Sequence, residues 1–214
     1  MARHAASEGV RMIAATPHVR TDYPTRAARM EFEVDALRRD FAEQAIAVEV
    51  LHGAEVELGR LFEIPPEELA RLTLAQTGRY VLVEFPYRGW PHGFAGAMSL
   101  LRSQGIVPLL GHPERNPEVQ DRPAVLRELV DQGALVQITA ASLDGRLGPA
   151  AKLTAERLLG LGLVDVIASD AHGPHIREAG LAKATAAVGD AALARHLTED
   201  VPAAIVAGDA VPSR

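Results

Sequence analysis

The hydrophobic residues of the chain fall in short runs that are separated by longer amphipathic stretches. The runs are nearly continuous in apolar character rather than alternating, which is typical of strands covered on both faces of a parallel sheet. Six of them predict strands: Met12–Ala15, Ala47–Leu51, Tyr80–Val83, Ile106–Leu110, Leu135–Ile138 and Val164–Ala168. This alternation of strands with longer stretches predicts an α/β fold.

The stretches between the runs have helical periodicity. The predicted helices are Thr25–Ala45, Phe94–Gln104, Pro123–Gln132 and Pro149–Leu159. Glycine follows three of them, where helices commonly end, at Gly105, Gly133 and Gly160–Gly162. No low-complexity linker interrupts the pattern, so residues 1–214 are expected to form a single domain.

Composition excludes several classes of protein. Hydrophobic residues make up 48% and charged residues 23% of the chain, which supports a large core and excludes wholesale disorder. The formal net charge of −6 argues against a broad nucleic-acid or membrane-surface patch. The absence of cysteine excludes disulfides, thiolate metal sites and a cysteine nucleophile. No apolar run is long enough to span a bilayer or to form a signal peptide, so we expect a cytoplasmic protein.

Residues suited to metal binding follow five of the six apolar runs. They are His18, Glu55, Glu84, His112, Asp170 and His172. Neither of the glycine-rich nucleotide-binding motifs is present, which favours a closed barrel over an open nucleotide-binding sheet. In a parallel barrel the carboxyl ends of the strands converge on one face, where active sites lie. Three imidazoles and three carboxylates there predict a metal site suited to Mn, Zn or Fe.

Each of these residues also has an ordinary structural explanation. A histidine after a strand is usually a turn residue, and Glu84 could be a carboxylate favoured by a helix dipole. The occurrence of all six at equivalent positions favours the metal site. Three other histidines lie in helical or mid-strand contexts and are interpreted as structural: His4, His52 and His196. The sequence leaves the roles of two more open: His92 and His175.

Two arginines lie close in sequence to the predicted ligands. Arg115 follows His112 by three residues, and Arg177 follows Asp170 by seven. The planar guanidinium group pairs with two phosphate oxygens, so these arginines are candidates for binding a phosphate ester. Because twenty of the 22 basic residues are arginine, an arginine near any site is partly expected from composition.

These residues lie in motifs that resemble those of a known family. The motifs are Ala-Thr-Pro-His18, Gly-Ala-Glu55-Val-Glu-Leu, Leu-Val-Glu84-Phe-Pro, Gly-His112-Pro-Glu-Arg115-Asn and Ile-Ala-Ser-Asp170-Ala-His172. They are similar to those of the polymerase-and-histidinol-phosphatase (PHP) superfamily of metal-dependent phosphoesterases. Within it, the chain most resembles the bacterial capsular-polysaccharide branch of manganese-dependent protein tyrosine phosphatases.

The resemblance implies a distorted TIM-like (β/α)7 barrel that holds up to three divalent ions, Mn²⁺ in particular. It implies that Glu55 bridges two metals and that Asp170 binds one of that pair. Glu84 and His112 would bind the second metal, and His18 with His172 the third. It further implies that Arg115 and Arg177 hold the phosphate and act in catalysis.

The implied activity is hydrolysis of phosphotyrosine in proteins that regulate capsule or exopolysaccharide synthesis. The implied partner is a tyrosine autokinase of polysaccharide export. Two alternatives stay open. One is a phosphatase of a small metabolite such as histidinol phosphate, and the other is a catalytically impaired remnant that retains phosphate binding.

The sequence departs from the family pattern at its start. Family members begin with a strand that carries Asp-x-His-x-His, followed by an Asp-Asp-Gly loop and a helix. This sequence opens at Met1–Gly9, which resembles the last turns of that helix with Gly9 as its exit. From the resemblance we expect a barrel that lacks its first strand, one lost metal site and reduced activity.

Overall fold

The structure is a computed structural model that describes residues 1–173 and 177–213. Its strands are β1 (Met12–Ala14), β2 (His18–Val19), β3 (Glu49–Leu51), β4 (Glu55–Glu57), β5 (Tyr80–Glu84), β6 (Val107–Gly111), β7 (Leu135–Thr139) and β8 (Val166–Ala168). Its helices are α1 (Ala2–Ser7), α2 (Ala27–Glu43), α3 (Pro66–Leu72), α4 (Phe94–Ser103), α5 (Pro117–Asp121), α6 (Arg127–Asp131), α7 (Ala140–Leu143), α8 (Pro149–Gly160), α9 (Ala182–Val188), α10 (Ala191–Arg195) and α11 (Val201–Ala207). None of these helices is long and apolar enough to cross a membrane.

All strand pairs in the sheets are parallel. Six strands form one sheet in the order β2-β4-β5-β6-β7-β8, and β1 pairs with β3 in a separate two-stranded sheet. The predicted α/β class with parallel strands is therefore confirmed. Within residues 1–173 and 177–213 no pairing joins β8 back to β2, so the sheet is not closed into a barrel.

The six apolar runs correspond to β1, β3, β5, β6, β7 and β8. Strands β2 and β4 were not predicted, because they are short and include charged or titratable site residues rather than an apolar run. The predicted helix Pro123–Gln132 is α6 with a tighter 3-10 first turn, Pro123–Leu126, which is common at helix ends. The expected helix end at the start of the chain is also present as α1, after which Gly9 has a φ of 86°.

Successive side chains of the central strands point to opposite faces of the six-stranded sheet. On one face, which we call the outer face, Val81 and Leu110 belong to a large apolar cluster that includes Leu101 of α4 and Leu158 of α8. On the opposite face, which we call the inner face, residues of β5, β6, β8 and α11 form a smaller cluster: Tyr80, Leu82, Leu109, Val166, Val201 and Ile205. Burial on both faces explains why these runs are continuously apolar.

The inner face is covered at the end where the strands begin. The hydroxyl of Tyr80, the first residue of β5, donates a hydrogen bond of 2.5 Å to the carbonyl of Asp209, just beyond α11. The same face carries Glu84 at the other end of β5, because residues 80, 82 and 84 alternate with 81 and 83. Glu84 thus lies at the carboxyl end of β5, away from the end that α11 covers.

Candidate metal centre

Three neighbouring strands bring His18, Glu55 and Glu84 together. In the parallel register, His18 of β2 pairs with Glu55 of β4, and Glu57 of β4 pairs with Glu84 of β5. The Nδ1 atom of His18 lies 3.3 Å from Oε2 of Glu55 and 3.8 Å from Oε2 of Glu84. One ligand atom from each of the three lies within 4.8 Å of the others, which is close enough for one cation. Both carboxylates are buried, at 4% and 6% exposure.

A fourth predicted ligand, His112, joins this group from the end of β6. Its Nε2 atom lies 2.8 Å from Oε1 of Glu55, and its side chain is buried. His112 has a φ of 46°, in the left-handed region that costs a non-glycine residue energy and is concentrated at functional sites. We call His18, Glu55, Glu84 and His112 the metal-ligand cluster.

Gly111 allows the close approach of β6 to Glu55. A Cβ atom at this position would lie 3.2 Å from Oε1 of Glu55 and 3.4 Å from the Cδ1 atom of Leu82. Real Cβ contacts are rarely so short, so a side chain here would displace its neighbours. The glycine before His112 is therefore part of how the fold positions the Glu55 carboxylate.

Burial raises the pKa of Glu84, and the negative charge of Glu55 raises it further. The charges of His18, Arg20 and His112 oppose this rise. Two carboxylates held together away from water repel each other, and a bound cation relieves such repulsion.

Buried imidazole nitrogen atoms that make no hydrogen bond fit the cluster to a divalent metal. The Nδ1 atom of His112 is buried and has no hydrogen-bond partner within the described part of the chain, and that of His18 makes only the ion-pair contact of 3.3 Å with Glu55 and no hydrogen bond. A buried polar atom without a partner is costly unless a ligand satisfies it. Imidazole nitrogen together with carboxylate oxygen is a donor set that suits Mn, Zn or Fe.

Asp170 lies with the two predicted phosphate-binding arginines. Its Oδ2 atom accepts hydrogen bonds from Nη2 of Arg115 at 2.5 Å and from Nη1 of Arg177 at 2.8 Å. Arg115 also donates to the hydroxyl of Thr139, the last residue of β7. Asp170 has a φ of 47°, which is a second left-handed residue among the predicted ligands. We call Arg115, Arg177 and Asp170 the arginine group.

The remaining predicted ligand, His172, lies beside Asp170. Its Nδ1 atom is 2.9 Å from the Asp170 carbonyl oxygen and 3.6 Å from Oδ1 of the same residue. Its side chain is 43% exposed. The structure thus brings four predicted ligands into the metal-ligand cluster and places Asp170 and His172 next to the arginines. The assignment of each ligand to a particular metal stays a prediction.

The histidines outside the predicted ligand set are elsewhere. The Nε2 atom of His4 lies 3.2 Å from Glu8 and 3.5 Å from Glu178, in an exposed group of charges. His92 is exposed. His175 lies outside the described residues.

Sequence reasoning missed Arg20, which contacts the metal-ligand cluster. Its Nη1 atom donates to Oε1 of Glu84 at 3.0 Å, while its Nε donates to Oδ1 of Asp22 at 2.9 Å. The only sequence signal is its position two residues after His18. A guanidinium here compensates part of the negative charge of the two buried glutamates.

Sequence reasoning also missed Glu114, which supports the arginine group. Glu114 is fully buried, and its Oε1 atom accepts hydrogen bonds from the Thr139 backbone N–H at 3.0 Å and the Ser142 hydroxyl at 2.5 Å. These bonds tie the turn after β6, which carries Arg115, to the end of β7. The available signal was its position directly before Arg115, within the motif Gly-His112-Pro-Glu-Arg115-Asn.

The chain is similar in sequence to known tyrosine phosphatases of other bacteria. The chain is 35% identical to the tyrosine-protein phosphatase YwqE of Bacillus subtilis over 181 residues, which are 83% of this chain and 70% of YwqE. It is 30% identical over 173 residues to the putative tyrosine-protein phosphatase CapC of Staphylococcus aureus, covering 79% of this chain and 67% of CapC. The tyrosine-protein phosphatase CpsB of Streptococcus pneumoniae is 28% identical over 173 residues, covering 77% and 70%.

A solved structure matches over the whole chain. It comes from crystal structures of YwqE and CpsB, described as unique metal-dependent tyrosine phosphatases, with a TM-score of 0.90 and 30% identity. The match covers 100% of this chain and 87% of the solved one. The family of capsular polysaccharide synthesis proteins CpsB/CapC matches residues 1–208. The resemblance found in the motifs is confirmed, and the chain belongs to the CpsB/CapC family.

Proposed function

We propose that this protein is a metal-dependent phosphatase that hydrolyses phosphotyrosine in proteins of capsular polysaccharide synthesis. The observation that carries the proposal is the meeting of two imidazoles and two buried carboxylates, which come from the starts of β2 and β4 and from the ends of β5 and β6, in a chain that also pairs two arginines on one carboxylate. The relatives named as tyrosine phosphatases support the substrate class. The lack of cysteine fits a mechanism without a thiolate nucleophile.

In this proposal the metal-ligand cluster holds divalent ions, Mn²⁺ first among them, with Zn or Fe as alternatives. Asp170 and His172 complete the ligand set. When bound, such ions polarise phosphoryl oxygens and lower the pKa of a coordinated water to about 7. The buried Nδ1 atoms of His18 and His112 and the paired carboxylates are the features of this chain that fit them.

The arginine group would bind and orient the phosphate. Asp170 accepts from both guanidinium groups at the same oxygen, so the two cations are held side by side. Each guanidinium keeps other N–H groups with which to bind phosphoryl oxygens as negative charge moves over them. A tyrosine leaving group has a pKa of about 10, which reduces the need for a strong general acid.

The proposed fold also follows from membership of the CpsB/CapC family. We propose that residues 1–214 form one PHP-type domain whose parallel strands follow the order of a distorted (β/α)7 barrel. The continuous parallel order from β2 to β8 and the position of the predicted ligands at one end support it. The partner proposed is a phosphotyrosine protein such as a polysaccharide-export tyrosine autokinase, in the cytoplasm.

The test is an assay of the purified protein with added Mn²⁺ on a phosphotyrosine peptide and, side by side, on histidinol phosphate. We expect a large preference for the peptide. The variant Glu55→Gln should lose most activity, because the amide replaces a buried anionic ligand, whereas Glu49→Gln on β3 changes an exposed carboxylate and should behave as wild type. A large preference for histidinol phosphate, or equal activity of both variants, would contradict the proposal.

A further inference from the structure

An aromatic side chain that the mechanism does not use covers one edge of the metal-ligand cluster. Tyr87, three residues after the end of β5, stacks on the imidazole of His112 with ring centroids 5.5 Å apart and planes inclined by 18°. The Tyr87 side chain is nevertheless 48% exposed. One face of its ring is therefore covered by a predicted metal ligand, while much of the remainder is open to solvent.

The loop that carries Tyr87 is held on both sides by one buried side chain. The Nδ2 atom of Asn116 donates to the carbonyl of Pro86 at 2.7 Å and to the carbonyl of Gly89 at 2.9 Å. Asn116 is 1% exposed, and its Oδ1 atom also accepts from the first N–H groups of α5. Because the residue on either side of the Tyr87–Arg88 pair is tied to Asn116, the backbone that carries Tyr87 is held in place before any ligand arrives.

The phenol of Tyr87 interacts electrostatically with charged groups of both parts of the site. Burial raises the pKa of the Tyr87 phenol, the charge of Arg115 opposes this rise, and the carboxylates of Glu55, Glu84 and Asp170 add to it. Groups from both the metal-ligand cluster and the arginine group thus act on one phenol.

The charged groups of the site recognise a phosphate in any ester. Carboxylate-bound metals and guanidinium groups contact phosphoryl oxygens, which are the same in aryl and alkyl phosphates. Selection for an aromatic ester needs a surface that contacts the ring itself. Aromatic rings pair favourably at centroid distances of roughly 4.5–7 Å, and the half-exposed ring of Tyr87 offers such a surface against the predicted metal ligand His112.

We propose that Tyr87 is a specificity-determining residue whose ring stacks on the aryl group of the substrate and makes the site prefer aryl over alkyl phosphates. This inference rests on the proposed function, since it places the phosphate at the arginine group. Tyr87 acts through its ring and not its hydroxyl, so phenylalanine should replace it and an aliphatic residue should not.

The test compares the affinities of two non-hydrolysable probes, phenylphosphonate and methylphosphonate, for the manganese-loaded protein by calorimetry. We expect wild type and Tyr87→Phe to prefer phenylphosphonate, and Tyr87→Leu to lose about three- to tenfold of that preference. Phe32→Leu changes an exposed aromatic residue of α2 and is the matched control, for which we expect the wild-type preference. The ratio of kcat/KM for phosphotyrosine and phosphoserine peptides of one sequence should shift in the same direction.

The outcomes separate this inference from the proposed function. Equal affinity of the wild type for both phosphonates, an unchanged preference in Tyr87→Leu, or a lost preference in Tyr87→Phe would overturn the role of the Tyr87 ring. A wild-type protein that prefers phenylphosphonate through Tyr87 but hydrolyses no phosphotyrosine would support that role and contradict the proposed function.

Discussion

Arg177 donates a hydrogen bond of 2.8 Å from its Nη1 atom to the Oδ2 atom of Asp170, seven residues earlier in the chain. The same oxygen accepts from Arg115, so one carboxylate orients two guanidinium groups. The three charges leave one positive charge in excess beside the negatively charged metal-ligand cluster. A phosphate that approaches the arginine group therefore meets cations that are already positioned.

Removal of one of these guanidinium groups should lower the catalytic efficiency much more than it lowers the stability of the fold. We expect Arg177→Ala to lower kcat/KM for a phosphotyrosine peptide by about ten- to a hundredfold, the effect of losing one or two charge-assisted hydrogen bonds. Arg177→Lys should recover only part of the loss, because an ammonium group cannot form the paired contacts of a guanidinium. Arg146→Ala, which removes an arginine paired with Asp144, is the control, and an equal loss in that variant would refute the role of Arg177.

Metal removal should destabilise the protein as well as inactivate it. The buried carboxylates of Glu55 and Glu84 repel each other, so a cation that binds the folded state stabilises that state. At a free metal concentration 100 times the Kd the expected stabilisation is about 2.7 kcal/mol. We expect chelation to lower the Tm and added Mn²⁺ to restore it. A Tm that is independent of metal, in protein whose activity depends on metal, would contradict this prediction.

The substitution Gly111→Ala tests the close approach of β6 to Glu55. The added methyl group would lie 3.2 Å from the Glu55 carboxylate, so we expect it to displace that carboxylate and to lower the metal content measured by elemental analysis. Gly160→Ala at the end of α8 adds the same methyl group where no atom lies within 4 Å, and it should keep the wild-type metal content. Equal metal content in the two variants would show that Glu55 is not a ligand or tolerates the shift.

The pH dependence of stability should include a contribution from Asp144. Burial alone would raise the pKa of Asp144, but hydrogen bonds from the Arg146 side chain and backbone N–H outweigh it and hold the pKa below the ordinary value of 3.8. Since the folded state favours the ionised form, this stabilisation is complete well above pH 4 and disappears as the pH falls below it.

We therefore expect Asp144→Asn to lower the free energy of unfolding by about 1 kcal/mol at pH 7, with a difference from wild type that shrinks towards pH 3. Urea unfolding at the two pH values measures it, with Asp40→Asn, at an exposed position on α2, as the control. A difference that grows as the pH falls would mean that the folded state favours the protonated carboxyl of Asp144, contrary to this prediction.

The α/β class and the positions of the predicted ligands follow from the sequence alone. Runs such as Tyr80–Val83 are continuously apolar because each strand is covered on both faces, and the residue after such a run must lie at the carboxyl end of its strand. Glu84 and His112 could therefore be identified without coordinates. The motifs around them were sufficient for the family, because each ties a ligand type to a strand end.

Only the tertiary structure decided which of these side chains meet. His18 contacts Glu55 and Glu84, while Asp170 contacts the arginines, because strand register and the left-handed turns at His112 and Asp170 set the direction of each side chain. The roles of Arg20, Glu114 and Tyr87 have no periodic signal. Arg20 meets Glu84 across 64 residues of chain, and such a contact depends on the packing of distant strands, which local hydrophobic pattern does not encode.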